Sequence, residues 1–353
     1  MESIRQAVPG PAGPAAGTPP RRPHSVRRTT THDSLREHPL DGPVSVLARG
    51  RDLYTNPAGE AKVIAAVRVE ATAGFPGHVL TSIRADPADG RVAALAGSRA
   101  SSGFRRAVEE ALPGQREAGT ILYQVLDDLP TALLVSGYAT LAARSRPGAP
   151  AQPDDRRPPA GGNHAAAMAL QVVDMCSGWV DGGVMVSGLN NGVAPYFEGT
   201  LAPSIEGSGG QDEDPLGWHA HEALPPHAMR RRRRVDIWLE DGLARVEGFF
   251  RDSHVASDRV ERVVHEYTVR ATVDIGSRSF RQCDADFGSL PWPECPGALA
   301  SAGRLVGVSV DGLRRRVRDE LTGVGTCTHL NDTLRALEDV GTLIGVLEGH
   351  GSG

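Results

Sequence analysis

The fold is decided by residues 230–250, RRRRRVDIWLEDGLARVEGFF. Apolar side chains at 235, 237 and 239 alternate with polar ones, which is the period of a half-buried β-strand. Asp241-Gly242 is a hairpin turn signal, and a second strand follows it over residues 243–250. The stretch therefore predicts an antiparallel hairpin and, with it, an antiparallel sheet.

Further along the chain, strand patterns give way to helix patterns. We predict strands at 267–273 and 280–285, and helices at 296–305, 312–321 and 327–347. Strands followed by helices indicate an α+β fold, an antiparallel sheet plus helices. This back block spans residues 226–345.

The front of the chain, residues 23–143, resembles a copy of the back block. Four segments match in the same order at offsets of about 200 residues. PHSVRR at 23–28 matches PHAMRR at 226–231, and DG at 41–42 with RD at 51–52 matches DG at 241–242 with RD at 251–252. GFRRAV at 103–108 matches GLRRRV at 312–317, and GT at 119–120 matches GT at 325–326. Ile121 and Tyr123 stand where the back block has Cys327 and His329, so we expect two related domains of which the first is degenerate.

The remaining segments are rich in Pro, Gly or Ala and predict loose chain. We expect a disordered tail at 1–22, a linker at 144–162, a middle segment with one helix and loops at 163–225, and a tail at 346–353. The predicted helix of the middle segment begins near His164.

Composition narrows the class of protein. A net charge of −5 and the lack of an aromatic-interleaved basic surface argue against nucleic-acid binding. No apolar run has the length of a membrane span or a signal peptide, so we expect a cytoplasmic protein. The arginine run at 230–234 is interpreted as a solvated, charge-balanced strand edge. Pairing with the acidic loop at 212–214, or with a substrate carboxylate or phosphate, is the alternative.

Chemistry-bearing side chains lie at the ends of the predicted elements of the back block. His265 opens a strand, Cys295 precedes a helix, and Cys327 and His329 fall in the first turn of the last helix. A thiol at a helix N-terminus is expected to have a lowered pKa, and thiolates with imidazoles suit zinc or an iron–sulfur centre. Cys295 and Cys327 are equally explained as small buried apolar residues, and Cys283 is expected in the core.

Other arrangements stay open. Cys327 and His329 are a conceivable nucleophilic pair, although side chains two apart on a helix diverge by about 200°. His219 and His221 form a His-x-His pattern found in metal sites, but an exposed loop bordering a substrate pocket is the preferred interpretation. Cys176 is left without a role.

The back block resembles an uncharacterised bacterial family of the domain-of-unknown-function type, whose members are often associated with catabolic genes. The resemblance is carried by DGL at 241–243, VEG at 246–248, His265, Cys295-Pro296, LVG at 305–307 and GTCTHL at 325–330. It implies no particular activity.

More distantly, the order of His265, Cys295 and Cys327 along these elements resembles the U-type iron–sulfur scaffold fold. In that family three cysteines at such positions converge on one metal or cluster. The resemblance therefore implies a site of His265, Cys295 and Cys327, with His329 as a fourth ligand. Histidine at the first position disfavours a transferable cluster and favours a fixed divalent metal, zinc first and iron or an iron–sulfur cluster second. Glu266 and His329 would then move protons.

These expectations point to a cytoplasmic metal-binding protein. We expect a metal-dependent lyase or hydrolase that acts on a small organic catabolic intermediate, and this intermediate could be an anion. A water molecule at an open position of the metal would take part in the reaction. The alternative is a non-enzymatic metal or iron–sulfur scaffold or accessory protein. Neither nucleic acid nor membrane is expected as a partner.

Overall fold

The computed structural model describes residues 7–38, 42–74, 77–144, 172–191, 195–206 and 214–351. Its strands are β1 (Val8–Pro9), β2 (Ser25–Leu35), β3 (Val44–Thr55), β4 (Ala61–Ala73), β5 (Leu80–Asp86), β6 (Thr200–Leu201), β7 (Met229–Glu240), β8 (Leu243–Val255), β9 (Glu261–Asp274) and β10 (Ser279–Leu290). They form one antiparallel sheet in the order β1-β10-β9-β8-β7-β2-β3-β4-β5, with β6 paired to β9. The predicted α+β class with an antiparallel sheet is confirmed.

The described helices follow the strands in each half of the chain. They are α1 (Phe104–Ala111), α2 (Ile121–Val135), α3 (Gly137–Arg144), α4 (Val184–Asn190), α5 (Leu313–Glu320), α6 (Thr328–Ala336) and α7 (Val340–Gly351), with 3-10 turns at Val92–Leu95, Ser177–Trp179, Cys295–Leu305 and Leu337–Asp339. The predicted helix at 296–305 is therefore a 3-10 helix. The predicted last helix is divided between α6 and α7.

The predicted hairpin of β7 and β8 is present. Asp241 and Gly242 join the strands with φ angles of 52° and 73°, the left-handed conformation that a tight two-residue turn requires. Aspartate tolerates this conformation better than most residues and glycine adopts it without strain.

The two halves of the sheet meet where β2 pairs with β7. Each half runs through four strands, a 3-10 helix and three α-helices in the same order, and the back half has a second 3-10 turn before its last helix. Both halves also have a register shift at the same place, between Asp52 and Leu53 on β3 and between Asp252 and Ser253 on β8. Such bulges redirect the side chains beside them.

Each half has its own apolar cluster, and the centre of the sheet is charged. Val69 and Phe104 belong to the front cluster, whereas Val269 and Leu313 belong to the back cluster. Between them run buried ion pairs that join the halves. These include Arg28 with Asp339 (2.6 Å), Arg233 with Asp128 (2.9 Å) and Arg335 with Asp127 (2.5 Å).

The prediction that residues 230–234 form a solvated edge is wrong. The run lies in β7, an interior strand flanked by β2 and β8, and its five arginines are 1–3% exposed. Successive side chains point to opposite faces, and each face supplies carboxylates. Arg230 pairs with Asp33 on one face (2.5 Å) and Arg231 with Asp252 on the other (2.9 Å). The five arginines can be buried because carboxylates from segments distant in sequence neutralise their charges.

The predicted terminal tails are also ordered where the structure describes them. Residues 7–22 lie along the sheet: β1 pairs with β10, and the Ala15 N–H donates to Glu266 (2.6 Å). Residues 346–351 belong to α7. Most of the predicted linker and the start of the predicted middle helix, residues 145–171, lie outside the described residues.

Within the described part of the chain, we find no helix with the length and apolarity needed to cross a bilayer.

Candidate metal centre

Asp252 and His265 face each other across the ladder of β8 and β9. Directly paired residues on antiparallel strands point to the same face of the sheet. The bulge after Asp252 directs its carboxylate at the ring, with 3.6 Å between Asp252 Oδ2 and His265 Nδ1. The Asp252 side chain is 1% exposed and that of His265 is 12% exposed.

His329 arrives from the first turn of α6, which packs on the same face. Its imidazole stacks on that of His265, with ring centroids 3.6 Å apart and an interplanar angle of 20°. Its Nε2 lies 3.8 Å from Asp252 Oδ2. Among the described residues, Asp252, His265 and His329 form a group whose possible ligand atoms all lie within 4.8 Å of one another.

Asp252 is held in its charged form. Arg231 donates to both carboxylate oxygens, Nε to Oδ1 at 2.9 Å and a terminal nitrogen to Oδ2 at 3.0 Å. Burial alone would raise the pKa of Asp252, but the charge of Arg231 and its two hydrogen bonds hold that pKa below its usual range. The carboxylate therefore carries a negative charge toward the two imidazoles.

The His329 imidazole is neutral. Burial, followed by the neighbouring His265, lowers the pKa of His329 well below its usual value. His265 Nδ1 is buried and has no hydrogen-bond partner at normal distance. Two protonated rings stacked at this distance would repel each other, whereas one cation shared with the carboxylate would stabilise the group.

Cys327 lies beside the site but at the far side of the His329 ring. Its Sγ is 3.8 Å from Nδ1, whereas Nε2 faces Asp252. Cys327 is the N-cap of α6 with extended backbone angles (φ −135°, ψ 131°). The divergence expected for two residues of one helix therefore does not apply, and the thiol and imidazole are neighbours.

The predicted lowering of the Cys327 pKa is wrong. Burial raises the pKa of this thiol to about 11, only partly offset by Tyr267 and nearby backbone N–H groups. The desolvation of the thiolate outweighs the helix terminus. Cys327 is 4% exposed.

The other cysteines are not part of the group formed by Asp252, His265 and His329. Cys295 starts a 3-10 helix and is 5% exposed, and burial raises its pKa. Cys176 is buried in the same region, where the Ser177 N–H donates to Thr326 O (2.9 Å). Cys283 is a core residue of β10, as predicted. The alternative of small buried apolar residues thus describes Cys295 and Cys283 well.

Glu266 does not reach the imidazoles. It follows His265 in β9 and so points to the opposite face of the sheet. There it accepts hydrogen bonds from Arg251 Nε (2.5 Å) and from the Ala15 N–H (2.6 Å). The predicted proton-transfer role beside His265 is not possible from this position.

His219 and His221 do not form a second metal group. His219 is 9% exposed rather than in an exposed loop, and its two ring nitrogens lie 2.9 Å from the hydroxyls of Thr29 and Thr31. Burial and nearby arginines lower its pKa to about 3. His221 lies 3.0 Å from Glu206.

Asp252 is the residue that the sequence interpretation missed. Its only sequence signal is the Arg-Asp pair that recurs at 51–52 and 251–252. A residue that recurs at matched positions in both halves and is followed by a bulge in both is a reasonable place to look for a ligand.

Residues 229–342 match the sequence model of a family described as a protein of unknown function, DUF2889. This span includes Asp252, His265, Cys295, Cys327 and His329. No curated protein and no solved structure matches the chain.

Proposed function

We propose that the back half binds one divalent metal ion through Asp252, His265 and His329, and that the protein is a metal-dependent lyase or hydrolase of a small organic molecule. The observation that carries the proposal is the convergence of two imidazoles and one charged carboxylate within 4.8 Å. The unpartnered Nδ1 of His265 supports it, because a buried nitrogen without a hydrogen bond is costly.

The spacing suits a metal ion. A tetrahedral ion with bonds of about 2.0–2.1 Å holds its ligand atoms roughly 3.3–3.4 Å apart. The two distances from Asp252 Oδ2, 3.6 and 3.8 Å, must contract by about 0.2–0.5 Å to reach this value, and the stacked imidazoles must turn so that both ring nitrogens point at the ion. Deprotonated aspartate and neutral His329 are the states in which these groups bind metals.

The ligand chemistry favours zinc, with ferrous iron as the alternative. Two nitrogens and one carboxylate oxygen match catalytic sites of both metals, whereas iron–sulfur clusters are bound mainly by thiolates. Three protein ligands leave a position for water, whose pKa a divalent ion lowers. The 12% and 18% exposure of the His265 and His329 side chains leaves an approach from outside.

Cys327 and Arg231 then act as positioning residues. With Nε2 of His329 directed at the metal, the proton of the ring lies on Nδ1, where Cys327 Sγ accepts it as a weak hydrogen bond. Arg231 fixes the carboxylate of Asp252 by its two hydrogen bonds.

We also propose that the two halves arose by duplication, with the site preserved in the back half alone. Asp52 corresponds to Asp252 and pairs in register with Ala65, as Asp252 does with His265. Tyr123 stands at the position matching His329. The shared element order and shared bulge support the duplication, and a distant relation to the U-type scaffold belongs to the same proposal.

A non-enzymatic role is the second candidate. The near-complete burial of Asp252 suits a protein that stores or presents a metal to a partner instead of binding substrate. An assay of the metal-loaded protein with small carboxylated esters and hydroxy acids distinguishes the two roles. Turnover supports the enzyme, and lack of turnover supports the non-enzymatic role.

Metal analysis tests the metal site itself. We expect the purified protein to hold about one equivalent of zinc or iron, and the His265→Ala and Asp252→Asn variants to hold none while keeping their circular dichroism spectra. His350→Ala, which removes an exposed histidine, is the matched control and should retain the metal. A wild-type protein that neither contains a metal nor binds added Zn²⁺ or Fe²⁺ contradicts the proposal.

A further inference from the structure

Arg51 and Arg251 hold matched positions in the two halves. Each precedes the aspartate at the bulge, on β3 and on β8, and each points away from the face that binds α2 and α6. Each also donates from a terminal nitrogen to a backbone carbonyl of a covering segment: Arg51 to Leu216 O (2.5 Å) and Arg251 to Ala15 O (2.6 Å). The two guanidinium groups thus have similar settings.

The surroundings of the two arginines differ at the Nε atom. Arg251 Nε donates to Glu266 Oε2 at 2.5 Å, whereas Arg51 Nε is buried and has no hydrogen-bond partner. The register explains the difference, because Arg251 pairs with Glu266 while Arg51 pairs with Ala66. The front half has kept the arginine but has no glutamate at the matching place.

The missing carboxylate leaves the Arg51 guanidinium without a close ion pair. Arg51 is 7% exposed and has no ion pair with a carboxylate among the described residues. Burial, with the charges of Arg27 and Arg21, lowers its pKa to about 10, and the negative charge of Asp214 offsets this lowering only in part. Ala66 is exposed, so solvent reaches the position that a longer side chain would fill. A buried guanidinium without a counter-ion is unfavourable, and a bound anion relieves it.

Two further arginines lie on the same face of the sheet as Arg51. Arg49 and Arg68 pair in register two residues along the same two strands, and therefore on the same face. Arg49 pairs with Glu222 through one terminal nitrogen, and its other terminal nitrogen lies 3.7 Å from Asp33. Arg68 is 48% exposed at the rim and pairs with Glu70 at 2.7 Å.

We propose that Arg51 binds the carboxylate of a small organic acid, in the place that the Glu266 carboxylate occupies in the back half. Arginine's planar group matches a carboxylate well, and Nε is free to donate to it. Arg49 and Arg68 lie nearby on the same face but already pair with Glu222 and Glu70, so we expect the site to bind one carboxylate group. The site lies on the face of the sheet opposite to Asp252 and His265, so it stands independently of the metal proposal.

Succinate and acetate are suitable probes, each compared with chloride at equal ionic strength. We expect succinate and acetate to raise the melting temperature of the wild type saturably and to bind in calorimetry. Ala66→Glu supplies the missing carboxylate within the chain. This variant should melt higher than the wild type without ligand and should bind succinate at least about tenfold more weakly.

Two further variants complete the test. Arg51→Gln should lose the succinate response, whereas Val63→Glu, a carboxylate at an exposed position of the same strand, should keep it. The proposal is overturned if succinate has no effect beyond that of chloride on the wild type. It is equally overturned if Ala66→Glu binds succinate as tightly as the wild type does.

Discussion

The imidazole of His329 stacks on that of His265 at 3.6 Å between ring centroids, which joins the first turn of α6 to β9 directly over the carboxylate of Asp252. The two rings and the carboxylate bring two nitrogens and one oxygen within 4.8 Å of one another. The stack also explains why a histidine from a helix and one from a strand belong to one site.

Replacing Cys327 tests whether the thiol is a ligand or a positioning residue. Because Sγ lies beside Nδ1 of His329 and not beside Asp252, we expect Cys327→Ser to retain the metal with affinity lowered by about 10–100-fold. Competition with a chelator measures this affinity. Complete loss of the metal in a folded Cys327→Ser protein would make the thiol a ligand.

Glu266→Gln separates the two faces of the sheet. We expect the metal content to be unchanged, because Glu266 points away from His265. Stability should fall by about 3–5 kcal/mol, because Arg251 is left buried without its charged partner. Denaturant unfolding and metal analysis of the same sample give both values, and a loss of metal at unchanged stability would oppose this account.

Arg231→Gln should be among the most destabilising changes at the centre of the sheet. Arg231 pairs with Asp252 at 2.9 Å and with Asp332 at 3.1 Å, and all three side chains are buried. We expect a loss of about 3–5 kcal/mol in the free energy of unfolding. Arg318→Gln, at an exposed pair, should change it by less than about 0.5 kcal/mol. Equal effects of the two variants would contradict the role assigned to the buried pairs.

His219 predicts a pH dependence of stability. Its folded-state pKa of about 3 lies below the ordinary histidine value, so the unfolded chain binds the additional proton as the pH falls. The contribution of neutral His219 to the free energy of unfolding is complete above about pH 6.5 and is lost as the pH falls toward 3. The free energy of unfolding then falls by at most about 1.4 kcal/mol per pH unit. His219→Gln should flatten the fall in unfolding free energy between pH 7 and pH 5. An unchanged slope counts against the buried neutral imidazole.

The front half offers a gain-of-function test of the duplication. Asp52 already accepts two hydrogen bonds from Arg28, as Asp252 does from Arg231. Ala65→His combined with Tyr123→His should therefore create a second site, and the metal content should rise from about one to about two equivalents. A folded double variant that still binds one equivalent would show that the two halves are not equivalent at this position.

Local patterns in the sequence predicted what depends on local structure. The hairpin at Asp241-Gly242 and the helix start near Cys327 follow from turn and capping preferences. The alternation of side chains along a strand also predicts that His265 and Glu266 point to opposite faces of the sheet.

The rest depends on contacts between segments far apart in sequence. The burial of residues 230–234 requires β2 beside β7 and acids from both halves, which no local pattern shows. Asp252 joins His265 only through the register of two strands. The raised pKa of Cys327 follows from desolvation by the packed core, which overrides the helix terminus.

X-ray absorption at the edge of the bound metal tests the central claim most directly. We predict nitrogen and oxygen neighbours alone, at about 2.0–2.1 Å, with imidazole scattering from two rings. A sulfur neighbour at about 2.3 Å would contradict the account, because it would make a cysteine a metal ligand instead of a positioning residue.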